Sequence, residues 1–290
     1  MAGAFDPDVW SADVAALFRE RSAVIRSGAT VLLADDGVRV PYLSVDDVVS
    51  AARHFPAGGP ADPPRATVTQ SRLLHPAASR LVAELLVPAG LVAAVGDDAR
   101  LLAPLKDVLA RALALAADHA FLNGADEPLG TGPEGIIAAV AQRTVGDATL
   151  DRHRGLVYDA HHRRGFGRAG WILTQHVAAL IAEDATAESL IEVDRERPYP
   201  GAIVPDGRDG GTLLGFPYVM SDAAAYTRGY RSFFALDWGE AWLVAREGLV
   251  HVDITTDPDT AGTVIRAEIH HDFAVRRPDG FLVCEPTPRP

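Results

Sequence analysis

The chain has 290 residues, 48% of them hydrophobic, with a formal net charge of −12 at pH 7 and a single cysteine, Cys284. That length and apolar content give a globular protein with a large core and room for about two domains. The charge argues against a surface built to grip DNA or an anionic membrane, and one thiol excludes an internal disulfide framework and a four-thiolate zinc site.

Asp6 and Asp8 stand where an export signal needs positive charge, and no apolar block follows them. Residues 11–21 place Val14, Leu17 and Phe18 on one face behind Trp10, the spacing of a short amphipathic helix that must dock on something. Residues 31–33 and 38–40 flank Asp36-Gly37, a hairpin signal, and Pro41 limits further pairing. The tract 56–64 is too rich in Pro and Gly for a helix or a central strand and reads as a projecting tip. Extended residues return at 67–73. Residues 38–73 therefore read as an arm that leaves the body and comes back, costly within a monomer and sensible against a neighbour.

The longest apolar run, 85–95, is broken by Pro88 and Gly90 and is shorter than the ~20 residues that span a bilayer. A long helix is predicted over 99–122, opened by Asp97 or Asp98, with Pro104 in its first turns and Asn123-Gly124 closing it. Leu101, Leu105, Val108, Ala112 and Leu115 form its expected buried stripe, with Arg100, Asp107, Arg111 and Asp118 opposite and Asp107 placed to pair with Arg111. Such a helix is a strut of roughly 36 Å.

Turn chemistry at 130–135 leads to a short helix at 136–142, and a glycine-rich loop at 165–170 feeds a strand at Trp171-Ile172-Leu173. Thr174 is placed to cap the next helix, which carries Val177, Ala178, Leu180 and Ile181. Strands are predicted at 212–221, 232–237, 241–245 and 249–254. The clearest strand is 263–276: Ile265, Ala267, Ile269, Phe273 and Val275 face one way, while Arg266, Glu268, His270, Asp272 and Arg276 face the other.

Signals for chemistry are weak. Gly130-Thr131-Gly132-Pro133-Glu134-Gly135 has the letters of a dinucleotide loop, but it follows a helix rather than a strand and Pro133 removes an amide, so it reads as a turn. The basic run 161–168 reads as a solvated loop, with a phosphate or an acidic neighbour as the sharper alternative. His270 and His271 fall on opposite faces of their strand, one core-facing and satisfied, and no metal-ligand spacing appears. His119 reads as a packed histidine, and Cys284 as an inert thiol in a Pro-rich tail. No catalytic, cofactor-binding or metal-ligating residue is assigned.

Four motifs in order resemble the major capsid proteins of tailed bacteriophages, whose fold is shared with encapsulins. They are Asp118-His119-Ala120-Phe121-Leu122-Asn123-Gly124; Pro133-Glu134-Gly135-Ile136; Trp171-Ile172-Leu173 before Ala178-Ala179-Leu180; and 211–222, which is similar to that family's G-x-L-x-G-x-P-V-x-x-S strand. The likeness covers most of the chain from about Glu20. Leu236-Asp237-Trp238 departs from the Gly-Asp-Phe of many relatives. The resemblance implies an α+β capsid fold: an N-terminal arm at 1–30, an extended loop at 31–73, a peripheral domain at 74–128 and 241–290 with the long helix as its spine, and an axial domain at 129–240. It implies pentamers and hexamers in an icosahedral shell around double-stranded DNA held without sequence specificity, with scaffolding, portal and decoration proteins as separate candidate partners. The expected location is the virion, assembled in the host cytoplasm.

Some family members join subunits by a bond between a lysine on the extended loop and an asparagine on the peripheral domain. Here the only lysine, Lys106, and the only asparagine, Asn123, both lie on the spine segment. The loop offers Arg39, Arg53 and Arg65, which stay protonated, so no cross-link is expected. Two other readings stay open at this point: an encapsulin-type shell around a protein cargo, favoured by the N-terminal helix, and a soluble α/β enzyme using the histidines.

Overall fold

A computed structural model describes residues 5–42, 70–95, 99–124, 135–140, 143–145, 149–161, 167–191, 203–206, 209–226 and 229–285. Asp6 caps the first helix by accepting a hydrogen bond from the Asp8 amide, and Pro7 takes the first helical position, where its missing amide is not needed. Helix α1 (Pro7–Arg21) therefore begins at Pro7 rather than Ser11. Its buried residues Trp10, Val14, Ala15 and Phe18 dock on the long helix and on a strand at 251–256. Ser22 then caps the short α2 (Ala23–Arg26).

Strands β1 (Thr30–Leu33) and β2 (Val38–Tyr42) do not make the hairpin expected across Asp36-Gly37. β1 runs parallel to the segment 242–245, and β2 pairs antiparallel with β3 (Gln70–Leu74). Burial decides this. A lone hairpin is marginal in water, whereas Val40 of β2 and Leu74 of β3 pack together over Val244 and Ala274. β2 and β3 pair at the two ends of the expected arm; residues 43–69, with the Pro/Gly tract, Arg53 and Arg65, lie outside the described residues.

β4 (Ser79–Val87) turns Leu81, Ala83, Leu85 and Val87 to the core, and Pro88 ends it before the short α3 (Ala89–Val95). The spine helix α4 (Ala99–Asn123) follows, ~37 Å long at 1.5 Å per residue. Gly124, at φ 61°, supplies the left-handed residue that ends it. The buried stripe is Leu102, Leu109, Leu113, Ala117 and Phe121, while Val108 and Leu115 of the expected stripe are 53% and 48% exposed. Leu101 lies outside the described side chains, as do Asp97 and Asp98. Apolar residues occupy two adjacent rows of this helix, so periodicity fits two faces about one residue, or ~100°, apart.

After α5 (Ile136–Ala139), β5 (Arg143–Val145) and α6 (Leu150–His161), β6 (Gly170–Leu173) enters a second sheet. The Thr174 hydroxyl accepts from the Val177 amide at 3.2 Å and caps α7 (Gln175–Ile191), as its position in the sequence implied. β7 (Ile203–Pro205), β8 (Gly210–Leu213) and β9 (Phe216–Met220) continue the sheet. The single strand expected at 212–221 is thus a hairpin, because Leu214 and Gly215 both have positive φ, 53° and 84°, and reverse the chain in two residues. The short pair β10 (Ala225–Tyr226) and β11 (Gly229–Tyr230) precedes β12 (Ser232–Ala235), β13 (Ala241–Ala245), β14 (His251–Thr256), β15 (Thr263–Val275) and β16 (Phe281–Glu285).

β15 is the axis of the first sheet. β13 and β14 pair along one side of it, β4 along the other, and β1 extends the sheet beyond β13. The second sheet has the order β5-β16-β12-β6-β9-β8-β7 among the described residues. Its central strands are apolar at almost every position because both faces are covered. Ile172, Phe233 and Val283 join the core beneath α4, while Trp171, Phe234 and Leu282 join a second core with Leu156, Val177 and Ile181. The segment 241–290 therefore serves both sheets: β13 to β15 lie in the first and β16 in the second. Cys284, expected in a loose tail, is buried in β16, and burial pushes its thiol up to about 11.

Candidate assembly surfaces and the interlobe joint

The end of the spine helix is a polar joint set in an apolar core. Asn123 is buried; its Nδ2 donates to the Ala223 carbonyl at 2.8 Å, and its Oδ1 accepts from Arg231 Nη1 at 2.6 Å. Arg231, also buried, donates through Nε to Glu285 at 2.8 Å and through its backbone amide to the Ala224 carbonyl at 2.9 Å. The spine is thereby tied to the turn Asp222–Ala224 and to β16. Gly135, the described end of the Gly130–Gly135 turn, sits directly on this joint: a Cβ there would lie 2.3 Å from the Gly124 nitrogen. Gly135 and the Asn123-Gly124 helix end are thus in close backbone contact.

The N-terminal helix is fastened to the spine along its length. Lys106 Nζ lies 2.6 Å from Asp13 and 5.0 Å above the Trp10 ring, and Arg21 pairs with Asp107 at 2.7 Å. Asp107 therefore reaches across to Arg21 rather than along its own helix to Arg111. Ser11 Oγ accepts from the Val252 amide at 2.9 Å. Asp118, expected on the polar side, is buried and accepts from Ser22 Oγ (2.6 Å) and from the amides of Ala23 (2.6 Å) and Val24 (3.3 Å). Burial pushes its carboxyl up to about 7, against the opposing pull of those hydrogen bonds and of Arg26. A cleft of about 590 Å³ opens beside it, with Arg21, Arg26, Arg111, Asp209, Ser221 and Asp222 in its lining.

Two histidines among the described residues, His153 and His271, are buried. His153 is buried, with Nδ1 2.7 Å from the Thr149 carbonyl and Nε2 3.0 Å from Ser232 Oγ, so Nδ1 carries the proton and Nε2 accepts. Burial holds it below the usual histidine value. His271 faces the core as expected but is not satisfied: neither ring nitrogen makes a hydrogen bond of good geometry, and the ring meets Phe121 edge-on at 5.4 Å. Its protonation is held down chiefly by burial, against the backbone at Ile269 and the charge of Asp272. His270 points outward to Glu268 at 3.2 Å, and His119 is half-buried on the spine.

Of the basic run, residues 162–166 lie outside the described residues, while Arg168 donates to the Gly28 carbonyl at 2.9 Å. Among the described residues no group of three His, Cys, Asp or Glu side chains is placed to hold a metal ion, and no helix is long and apolar enough to cross a membrane. Sequence reading missed Arg231, His153 and the clasp at Asp118. For Asp118 the available signal was a charge embedded in an otherwise apolar stretch of helix; His153 sits in a polar helix and gave none.

A long spine helix, two sheets sharing one core and the pairing of β2 with β3 make an α+β fold that solved structures share. The chain is similar to that of Gordonia phage Cozz (13% identity, 92% of this chain and 87% of that chain, TM-score 0.60). It is similar to the holo-SrpI encapsulin of Synechococcus elongatus (15%, 89% and 84%, TM-score 0.56) and to the procapsid of satellite phage P4 (10%, 94% and 98%, TM-score 0.57). No curated protein matches it in sequence. The model of the phage capsid family matches residues 83–285, which take in the spine and nearly all of both sheets. The chain belongs to the phage capsid family and is a capsid shell protein.

Proposed function

We propose that this chain is the major capsid protein of a tailed phage or prophage. It assembles through pentamers and hexamers into an icosahedral shell that encloses double-stranded DNA, and it has no enzymatic role. The observation that carries this reading is the family match running through the spine helix and both sheets. In the proposed division, 1–30 is the N-terminal arm, 31–73 the extended loop, 74–128 with 241–290 the peripheral domain and 129–240 the axial domain, β16 adding a strand to the axial sheet. The net charge of −12 suits an inner surface past which DNA slides without sticking. Scaffolding, portal and decoration proteins are its proposed partners, and the virion its proposed location. Electron microscopy of the purified chain tests this: closed shells or capsomer rings are expected, and a ~31 kDa species that never assembles would sink the proposal.

One observation favours the encapsulin-type alternative. Within the proposed N-terminal arm, helix α1 is folded onto the spine of its own subunit, with Trp10 and Phe18 in the core. Nuclease-protected DNA inside the particles supports the phage reading, and a co-purifying protein cargo without DNA supports the alternative.

A further inference from the structure

The joint at the end of the spine holds a buried charge, and its chemistry asks for a reason. Arg231 and Glu285 could be replaced by apolar residues of similar volume with little loss of stability, since a buried ion pair gains little over good packing. What the pair supplies is direction. The contacts around it, such as Phe121, Ala223, Ile136 and Phe233, are apolar and tolerate sliding, whereas hydrogen bonds restrict both distance and angle. Side-chain hydrogen bonds run from Asn123 on the spine to the Ala223 carbonyl in the turn Asp222–Ala224 and to Arg231 just ahead of β12, and from Arg231 on to Glu285 in β16. The spine is a long lever on that fulcrum: a tilt of about 5° at Asn123 moves the far end of a ~37 Å helix by roughly 3 Å.

We infer that the relay of Asn123, Arg231 and Glu285 sets the angle between the spine helix and the second sheet, and through that angle the curvature and uniform size of the shell. This rests on the shell reading above. Heterologous contacts close into shells of one size only when the rotation between neighbouring copies is held within a narrow range, so a loosened joint yields particles of mixed curvature. The three residues are positioning residues.

The test compares particles from the parent chain, Glu285→Gln, Arg231→Lys, and the double variant Arg231→Met with Glu285→Leu, by electron microscopy, with circular dichroism and urea unfolding of dissociated subunits alongside. Glu285→Gln keeps the acceptor and is expected to give the parent diameter. The double variant is expected to fold with an unchanged or higher urea midpoint, yet to give open sheets or a spread of diameters roughly twice the parent's. Arg231→Lys keeps the charge but loses the planar fork, and is expected to broaden the sizes also if the double variant does not fold. Uniform shells of parent diameter from a folded double variant, or from Arg231→Lys, overturn the inference. Failure of the parent chain to assemble would instead remove the shell reading.

Discussion

Lys106 donates to Asp13 at 2.6 Å while its ammonium sits 5.0 Å above the Trp10 ring. The only lysine of the chain is thus committed to holding helix α1 on the spine, and the only asparagine, Asn123, is buried in the joint. Both make their contacts within the subunit. Mature particles boiled in detergent should run as a single band at the subunit mass, and Lys106→Arg particles should run identically. A ladder of multimers would show that covalent joining occurs after all.

Asp118 makes subunit stability fall as pH rises. Burial pushes its folded carboxyl up to about 7, above the ordinary aspartate value of about 3.9, so between those values the folded state holds a proton that the unfolded state has released. Stability from this group is full below pH ~4 and is lost as pH climbs through 7, by an upper bound on the order of 4 kcal/mol. Asp118→Asn removes the titration. The urea midpoint of the parent should drop between pH 5 and pH 8 relative to that of the variant, and parallel pH profiles would refute the assignment.

His271 acts in the opposite direction. Burial lowers its folded pKa, so its contribution is present above the unfolded value of about 6.5 and is lost as pH falls below it. Its ring nitrogens make no hydrogen bond of good geometry, and the ring meets Phe121, which stacks on Phe273 at 4.6 Å. Replacing it with an apolar ring, His271→Phe, should raise subunit stability by about 1 kcal/mol at neutral pH and flatten the acid side of the profile. Urea unfolding at pH 7 and pH 5 reads both effects.

Gly135 and Gly124 should tolerate substitution very differently. Gly135→Ala places a methyl 2.3 Å from the Gly124 backbone and must shift the helix end, a cost of about 2 kcal/mol or more. Gly124→Ala carries the strain of a left-handed residue, about 1 kcal/mol. Thermal unfolding of the two variants gives the order, and equal shifts would show that the close approach is relaxed in solution.

Truncation offers a test of where the N-terminus belongs. With Trp10 and Phe18 fully buried against the spine, Trp10→Ala should cost about 3 kcal/mol or more of subunit stability. A detachable arm would lose almost nothing. Denaturant midpoints of unassembled subunits distinguish the two.

The long helix, its stop at Asn123-Gly124, the extent of β15 and the cap at Thr174 were legible in the sequence, because each rests on local physics: turn chemistry, period-2 alternation and the end of an apolar run. The hairpin at Asp36-Gly37 was misread and the hairpin at Leu214-Gly215 overlooked, for one shared reason. A turn signal says that the chain can reverse, whereas pairing is decided by which face finds a core, and Val40 found Leu74, Val244 and Ala274 far along the chain. The same holds for the buried row of the spine. Two rows of apolar residues were available, and packing against β4 and α1 chose between them.

The sequence by itself determined the class of fold and the family, since motifs, spacing and the absence of a reactive constellation are properties of the string. Only the tertiary structure decided that Asp118 is a buried clasp, that Arg231 and Glu285 lock onto the end of the spine, that α1 belongs to the body, and that Cys284 is sealed within a sheet. Those outcomes depend on residues tens to more than a hundred positions apart meeting in a low-dielectric interior. There, the cost of burying a charge or a polar atom is set by its partners, and no local pattern names them.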